Sequence, residues 1–342
     1  MAGKINGVVR VALIGCGGIS GAHAPGMLKH AGKIKCVALC DIIPERMVNR
    51  SKQLGGVDKQ YTDWKLMLKE MAGEIDAVDI CLPHHLHGPA ILDAAAAGKH
   101  ILCEKPMCIS LKQADEIAAA VKAAGITYMS AHNQLFMPAV QEAKRMIDSG
   151  KLGKVWWLRS ADCFRAGGVT RANWGWRADY KTQGGGELID TGYHPSYRLL
   201  YLANSPAVEV RGTMGRYVQE IDGEDLASVQ VRFASGAVGE VLTCWAFDLP
   251  HGTHQIHIIG EEGQLFGSEN TLYHLPKGWS EPAKRSFPST ATFEQEIGHF
   301  ADCLIEGRRP LHSVEEGRAV LELILKAAES AKGWEKTAMK KS

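Results

Sequence analysis

Strand-like and helix-like patterns alternate over residues 1–130, and this alternation limits the folds open to the chain more than any other feature. Short apolar runs predict buried strands at Val8 to Ile14, Ile34 to Cys40, Ala77 to Leu82, Ile101 to Cys103 and Ile126 to Ser130. Helical patterns separate these runs, at Gly21 to His30, from Pro44 to about Leu54, after Asp63 and after Ser110. Repeated units of this kind fold as a doubly wound parallel sheet. We therefore predict an α/β protein whose first domain, residues 1–130, is a Rossmann domain.

The first predicted strand ends in the turn Gly15-Cys16-Gly17-Gly18-Ile19-Ser20, which leads directly into a helix. In this context Gly15 permits a tight turn, and Gly17 lets the backbone approach a pyrophosphate at the helix N-terminus. Asp41 ends the second strand 21 residues after Ser20, where a carboxylate accepts hydrogen bonds from the adenine ribose. That carboxylate repels a 2′-phosphate, and the two isoleucines that follow it supply no cation. NAD is therefore expected rather than NADP, the alternative being an ordinary turn with a surface aspartate.

The strand that begins after Gly98 ends in a charged pair and a proline, Glu104-Lys105-Pro106. Proline lacks a backbone donor and stops a strand, so Glu104 and Lys105 are expected at the strand's carboxyl end. Ligands of open parallel sheets bind at that edge. Lys105 is therefore either a functional cation or a solvated surface lysine.

From Met137 the pattern changes, because a helix at about Pro138 to Ser149 is followed by strands without intervening helices. In the segment 227–233 apolar residues alternate with polar ones, which predicts a strand with one buried face. We predict a second, α+β domain over residues 131–342, with a large, open and mainly antiparallel sheet. Apolar parts of its exposed face could serve oligomerisation. Two helical patterns close the chain, at Phe293 to Ile305 and Val314 to Lys332.

Three consecutive glycines open the segment 184–194, which contains Asp190 and His194. The segment is predicted to enter a helix that runs towards Leu202, and residues four apart share one helical face. On such a face the carboxylate can orient the imidazole, which titrates near neutrality and suits removal of a hydroxyl proton. The alternative is a surface helical pair without a catalytic role.

Composition excludes several classes of function. The formal net charge of +1 gives no reason to expect a nucleic acid or membrane partner. Three features suit a cytoplasmic protein. The nine cysteines have no C-x-x-C spacing, the N-terminus lacks a signal-like apolar core, and no apolar run is long enough to span a membrane.

Taken together, the sequence resembles the glucose-fructose oxidoreductase, inositol dehydrogenase and rhizopine-catabolism (Gfo/Idh/MocA) family over nearly its whole length. The segments that carry the resemblance are 15–20, 82–87, 98–106, 147–153, 176–177 and 184–194. The resemblance implies that Lys105 and His194 flank a reacting carbinol and that Asp190 assists them. It also implies dimers or tetramers built on the open sheet. Cofactor-binding residues are then expected at Gly15, Gly17, Gly18, Ile19, Asp41, Leu82, Pro83, His87 and Glu104, and substrate-binding residues at His84, Trp176 and Arg177.

Two departures from the family pattern lie near the expected site. His84 stands where asparagine is usual, and Tyr197 where an aspartate is usual three residues beyond the histidine. They leave the substrate open. Histidine trios at 84, 85 and 87 and at 251, 254 and 257 lack familiar zinc spacing, so no metal is expected.

The resemblance favours an NAD-dependent dehydrogenase that transfers hydride between a sugar or cyclitol carbinol and the nicotinamide. Two alternatives stay open. One is a redox-neutral glycosidase or lyase that retains its NAD and acts through a transient keto-sugar, and the other is a catalytically silent binding protein.

Overall fold

A computed structural model describes residues 4–167 and 171–334 of the chain. Its strands are β1 Val9–Ile14, β2 Ile34–Cys40, β3 Gln60–Tyr61, β4 Ala77–Ile80, β5 His100–Glu104, β6 Tyr128–Ala131, β7 Val155–Cys163, β8 Ala207–Gly215, β9 Leu226–Phe233, β10 Val238–Cys244, β11 Ile256–Gly260, β12 Gly263–Ser268, β13 Thr271–Pro276 and β14 Ala283–Ser286. Its α-helices are α1 Ser20–Lys29, α2 Pro44–Gln53, α3 Trp64–Glu70, α4 His84–Ala96, α5 Leu111–Ala124, α6 Pro138–Asp148, α7 Arg171–Trp174, α8 Tyr180–Gln183, α9 Tyr193–Ala203, α10 Thr292–Glu306 and α11 Val314–Ser330.

The chain divides into two compact units, one formed by residues 1–133 and 291–319 and the other by residues 134–290 and 320–342. The first unit contains a six-stranded sheet in the order β3-β2-β1-β4-β5-β6. Every strand pair in it is parallel, as the alternation of strands and helices predicts. The strand order reverses between β1 and β4, where the carboxyl ends of the strands open a crevice. The predicted Rossmann sheet is confirmed.

Capping side chains fix two helices of this unit. The Asp63 carboxylate accepts the N–H of Lys65 at 2.8 Å before α3, and the Ser110 hydroxyl accepts the N–H of Gln113 at 3.3 Å before α5. Gly125 ends α5 in the left-handed conformation, with φ of 63°. The helix starts predicted at Asp63 and Ser110 are therefore confirmed.

The second unit contains an eight-stranded sheet in the order β14-β13-β12-β11-β7-β10-β9-β8. Its pairs are antiparallel except that of β7 with β10. Along β9 buried and exposed residues alternate, so one face of the strand is covered and the other is open to solvent. Helix α9 packs on β7 and β10 on the covered face. The predicted open, mainly antiparallel sheet is thus present.

Two differences from the sequence-based expectations concern the chain's organisation. A single division at residue 130 assigned all of 131–342 to the second domain, whereas residues 291–319 pack with the first unit. The contact is close, since a Cβ on Gly26 of α1 would lie 2.9 Å from Ile297 of α10. The helix expected to follow the three glycines begins only at Tyr193, so Asp190 lies in the turns before it.

Candidate functional site

In the first unit, the turn after β1 has the shape that a dinucleotide requires. Gly15 has φ of 95°, and a Cβ there would lie 2.4 Å from the Cys81 carbonyl oxygen and 3.2 Å from the Leu82 side chain. By contrast, a Cβ on Gly17 or Gly18 would meet no protein atom within 4 Å, which leaves room for a ligand. The Ser20 hydroxyl donates to the Gly17 carbonyl at 2.8 Å and ties the turn to the first residue of α1. These residues fit a pyrophosphate at the N-terminus of α1, where Ile19 occupies the N-cap position without a side-chain hydrogen bond.

Asp41 lies at the end of β2, and its carboxylate is fixed by the backbone. One oxygen accepts the N–H of Cys16 at 2.8 Å and the other the N–H of Ile43 at 2.9 Å. Asp41 therefore joins the glycine turn to the start of α2, which is the position from which a carboxylate reaches a ribose.

Two cations of α2 border this turn, and inspection of the residues next to Asp41 missed them. Arg46 Nη1 lies 3.9 Å from the Asp41 carboxylate, and Arg50 Nη2 donates to the Gly17 carbonyl at 2.8 Å. They are four residues apart on one helix, so a helical projection of α2 would have placed both on one face. The two isoleucines that follow Asp41 supply no cation, but Arg46 places one beside the Asp41 carboxylate.

The carboxyl ends of β4 and β5 are joined by His87. Its Nδ1 lies 2.6 Å from the Pro106 carbonyl oxygen, and its Nε2 lies 2.7 Å from that of Leu82. Burial lowers the pKa of His87, against the opposing effect of these two hydrogen bonds. His87 is 1% exposed, and its ring connects the two loops that contain Leu82, Pro83 and Pro106.

At the end of β5, Glu104 and Lys105 occupy the positions that the sequence predicts. Glu104 is 6% exposed, and one of its oxygens accepts the backbone N–H of Lys105 at 3.0 Å. Lys105 is half-buried, and its peptide bond to Pro106 is cis. The other candidate of this edge, His84, begins α4 and is buried, with its ring centroid 6.0 Å from that of His87.

In the second unit, three of the predicted residues lie together. Arg177 Nε donates to the Asp190 carboxylate at 2.8 Å, and the Arg177 guanidinium lies 4.3 Å from the Trp176 ring centroid. Gln183 donates to the same carboxylate oxygen at 3.4 Å. Asp190 is 4% exposed, whereas Trp176 and Arg177 are half-buried, so the group offers an aromatic face and a cation over a buried carboxylate.

His194 stands at the start of α9 and contacts the residue that departs from the family pattern. Its Nδ1 lies 2.8 Å from the Tyr197 hydroxyl, which also accepts the backbone N–H of Gln134 at 3.1 Å. Tyr197 is fully buried, so one ring nitrogen of His194 faces a fixed, uncharged group.

Two buried carboxyls beside this segment were not predicted. A Cβ on Gly186 would lie 2.2 Å from the Glu224 carbonyl oxygen, so this glycine is required for close packing rather than for flexibility. The Glu224 carboxylate accepts the N–H of Leu188 at 2.9 Å, and burial raises its pKa to about 7. Glu187 accepts hydrogen bonds from Thr191 and Thr243, and burial raises its pKa well above the ordinary value. Neither glutamate lies in a recognisable motif.

Within the described part of the chain, one group of three side chains lies close enough together to bind a metal ion. It consists of His23, Asp79 and Cys81, and includes no member of either histidine trio. Both nitrogens of the His23 ring already face carboxylate oxygens, Asp79 at 2.8 Å and Glu104 at 3.1 Å. No ring nitrogen is left to act as a ligand, so the arrangement is an ion-pair network.

The described residues contain no helix that is both long enough and apolar enough to cross a membrane. All nine cysteines are buried and have free thiols.

Comparisons with known proteins find a match in each of the two units. Residues 9–132 match a family model described as an oxidoreductase family with an NAD-binding Rossmann fold, and residues 140–266 match a GFO/IDH/MocA C-terminal domain. The chain is 29% identical to scyllo-inositol 2-dehydrogenase (NAD(+)) of Bacillus subtilis, over 94% of each chain. It is 25% identical to myo-inositol 2-dehydrogenase of Thermotoga maritima, over 92% of this chain and 94% of that one.

A solved structure of levoglucosan dehydrogenase with NADH and levoglucosan superposes with a TM-score of 0.85. The identity is 23%, over 94% of this chain and 97% of that chain, so this likeness bears on the fold. The two family models together match more than half of the chain, which therefore belongs to the Gfo/Idh/MocA family of oxidoreductases, with an NAD-binding Rossmann domain.

Proposed function

We propose that the protein is an NAD-dependent dehydrogenase that transfers hydride between a sugar or cyclitol carbinol and the nicotinamide. The observation that carries the proposal is the placement of Lys105 at the carboxyl edge of the Rossmann sheet, the same edge at which Asp41 is hydrogen-bonded to the glycine turn that begins at Gly15. A cation at that edge suits a reaction in which charge develops on a carbinol oxygen.

The catalytic set in this proposal is Lys105, Asp190 and His194. His194 removes the hydroxyl proton, while the ammonium of Lys105 stabilises the oxygen as it becomes a carbonyl. NAD held at the dinucleotide turn would supply the hydride acceptor for the same carbon. Asp190, held by Arg177, assists as a fixed negative charge.

For the cofactor site we propose the residues that frame the crevice of the first unit. Gly15, Gly17, Gly18 and Ile19 would hold the pyrophosphate, and Asp41 the adenine ribose. Leu82, Pro83, His87 and Glu104 would form the walls at the ends of β4 and β5. NAD is preferred over NADP in this proposal because the Asp41 carboxylate repels a 2′-phosphate.

The proposed substrate is a polyol, since the relatives named above act on inositols. Trp176 and Arg177 supply an aromatic face and a cation, which suit the apolar and hydroxyl-bearing sides of a sugar ring. His84 is proposed to contact substrate from the first unit. We also propose a cytoplasmic homodimer or homotetramer built on the eight-stranded sheet. Its open face carries neighbouring aromatic rings at Trp157, His257, Phe266 and Tyr273.

Substitution of the catalytic residues tests the assignment. Lys105→Met and His194→Ala are expected to keep NAD affinity within about threefold while turnover falls by about two to four orders of magnitude, the usual scale for losing an acid-base group. NAD affinity is measured by calorimetry, and turnover by NADH formation with scyllo-inositol, myo-inositol and levoglucosan.

Matched variants at exposed positions, Lys112→Met and His251→Ala, control for loss of a cation or an imidazole elsewhere. Near-normal turnover in Lys105→Met or His194→Ala would show that the residue concerned is structural. The redox-neutral glycosidase remains the second candidate on family resemblance, because it shares the first hydride transfer.

A further inference from the structure

His23 is a buried histidine that the proposed mechanism does not use. It lies on α1, directly after the dinucleotide turn, and its side chain is fully buried. Its Nδ1 is 2.8 Å from the Asp79 carboxylate on β4, and its Nε2 is 3.1 Å from the Glu104 carboxylate at the end of β5. The ring therefore bridges two neighbouring strands at the edge where the cofactor is proposed to bind.

The geometry determines the charge on this ring. A carboxylate can only accept a hydrogen bond, so facing one at each nitrogen requires a proton on both nitrogens. A neutral imidazole carries a proton on only one ring nitrogen. The lone pair of the other nitrogen would then point at an anion in an interior without water. His23 between Asp79 and Glu104 is therefore an imidazolium.

The other charged and titratable groups around His23 agree with this charge. Burial by itself lowers the pKa of His23, but Asp79 and Cys81 outweigh it and raise that pKa well above its ordinary value. Burial likewise raises the pKa of Glu104, yet His23 and Lys105 bring it below its ordinary value, so Glu104 is ionised. Glu296 of α10 has its pKa raised well above the ordinary value by burial, and is therefore neutral.

Glu104 connects this ion-pair network to Lys105. One of its oxygens faces His23, and the other accepts the backbone N–H of Lys105 at 3.0 Å. Without the imidazolium, the buried carboxylates of Asp79 and Glu104 would repel each other with no cation between them. Glu104 would then take up a proton or turn away. In either case the Lys105 N–H loses its charged acceptor.

We propose that His23 is a positioning residue. As a fixed cation that bridges Asp79 and Glu104, it holds Glu104 in place and, through Glu104, Lys105. The proposal rests on the catalytic role assigned to Lys105 above. The Phe293 ring, with its centroid 5.6 Å from that of His23, packs against the imidazole and helps to exclude water.

The charge on His23 is tested on the wild-type protein by ¹⁵N NMR of labelled histidine side chains. The His23 signals are assigned by their loss in His23→Gln. We expect both ring nitrogens to keep the shifts of an imidazolium up to at least about pH 8, well above the usual titration near 6.5. An unprotonated ring nitrogen at about pH 7 would overturn the proposal, whether or not a substrate has been found.

Kinetics test the positioning role. In His23→Gln we expect turnover to fall by about ten- to a hundredfold, the scale for a displaced catalytic group, and NAD affinity to fall by less than turnover, because Glu104 is also a proposed wall of the cofactor site. The matched control is His30→Gln at the end of α1, because the His30 ring hydrogen bonds to the Glu294 carbonyl of α10 and lies outside the ion-pair network. It should stay within about twofold of wild type in both measurements.

Asp79→Asn supplies a second variant if His23→Gln does not fold. It removes one of the two carboxylates, so the pKa of His23 measured by NMR should fall and turnover should decrease less than in His23→Gln. Turnover within about twofold of wild type in the folded His23 variant, or an unchanged His23 pKa in Asp79→Asn, contradicts the inference. If no polyol reduces NAD, the proposed function fails, while the NMR result still decides the charge on His23.

Discussion

At the scale of single residues, we propose that coenzyme choice depends on one carboxylate and one guanidinium. Asp41 is fixed by two backbone N–H groups, so it cannot turn away from an incoming 2′-phosphate. Arg46 stands 3.9 Å from it and is half exposed, and is therefore able to meet a phosphate once the carboxylate is gone. In this proposal the Asp41 carboxylate opposes NADP binding and the Arg46 guanidinium favours it.

We expect wild type to bind NAD at least about tenfold more tightly than NADP, a difference of about 1.4 kcal/mol. Asp41→Ser should narrow that preference by improving NADP binding, and adding Arg46→Ala should remove the improvement. Calorimetric titration of both coenzymes measures this, with Lys52→Ala on the same helix as the control. Wild type binding NADP as tightly as NAD would contradict the assignment of Asp41.

The residues of this site were predictable to different degrees. Gly15, Asp41 and Lys105 follow strands that the apolar pattern defines, so their place at the sheet edge could be predicted from sequence. His23 and Asp79 could not, because nothing in the chain order shows that α1 faces β4 and β5 across a buried ion pair. The spacing of Asp190 and His194 predicts that both lie on one helical face, whereas the structure places Asp190 before the helix, and their catalytic role stays a prediction.

At the scale of elements, the segment between Gly184 and α9 is held by a buried carboxyl. Glu224 accepts the N–H of Leu188 and has a pKa raised to about 7, above its ordinary 4.5, because burial disfavours its charge. The folded state therefore binds this proton more tightly than the unfolded chain does. Its contribution to stability is fully present below about pH 4.5 and is lost as the pH rises towards 7.

Glu224→Gln keeps the acceptor oxygen and removes the titration. Relative to this variant, wild type should lose stability between about pH 4.5 and 7, by an amount on the order of 3 kcal/mol, and then stay level. Denaturant unfolding at several pH values measures the difference. The exposed Glu281→Gln should show no such trend. A wild-type-minus-variant difference that is constant across this range would show that Glu224 ionises normally.

Elements with a strong pattern were predictable within a few residues, and short or edge elements were not. The alternation in β9 defined that strand, and the caps at Asp63 and Ser110 defined two helix starts. The two-residue β3 and the fully exposed β14 have no apolar periodicity, because neither buries a face.

At the scale of the whole molecule, the order of segments along the chain does not show which unit each segment belongs to. Residues 291–319 return to the first unit, where α10 packs on α1 and the Ile5 N–H donates to the Leu304 carbonyl at 3.1 Å. A boundary drawn along the sequence cannot represent such a return, because composition does not change where the chain re-enters the first unit. The class of each sheet, by contrast, followed from the alternation or absence of helices between strands.

The most direct test of the central claim follows the hydride itself. Wild type is incubated with NAD and an inositol or sugar that carries deuterium on its carbinol carbons, and both products are analysed by mass spectrometry. We predict reduced cofactor that carries one deuterium, formed in step with oxidised polyol and formed far more slowly by His194→Ala. Cleavage of a deuterated glycoside to a product that keeps the deuterium of the transiently oxidised carbon and loses that of the neighbouring, acidified C–H, with no reduced cofactor accumulating, would contradict the dehydrogenase and support a redox-neutral glycosidase.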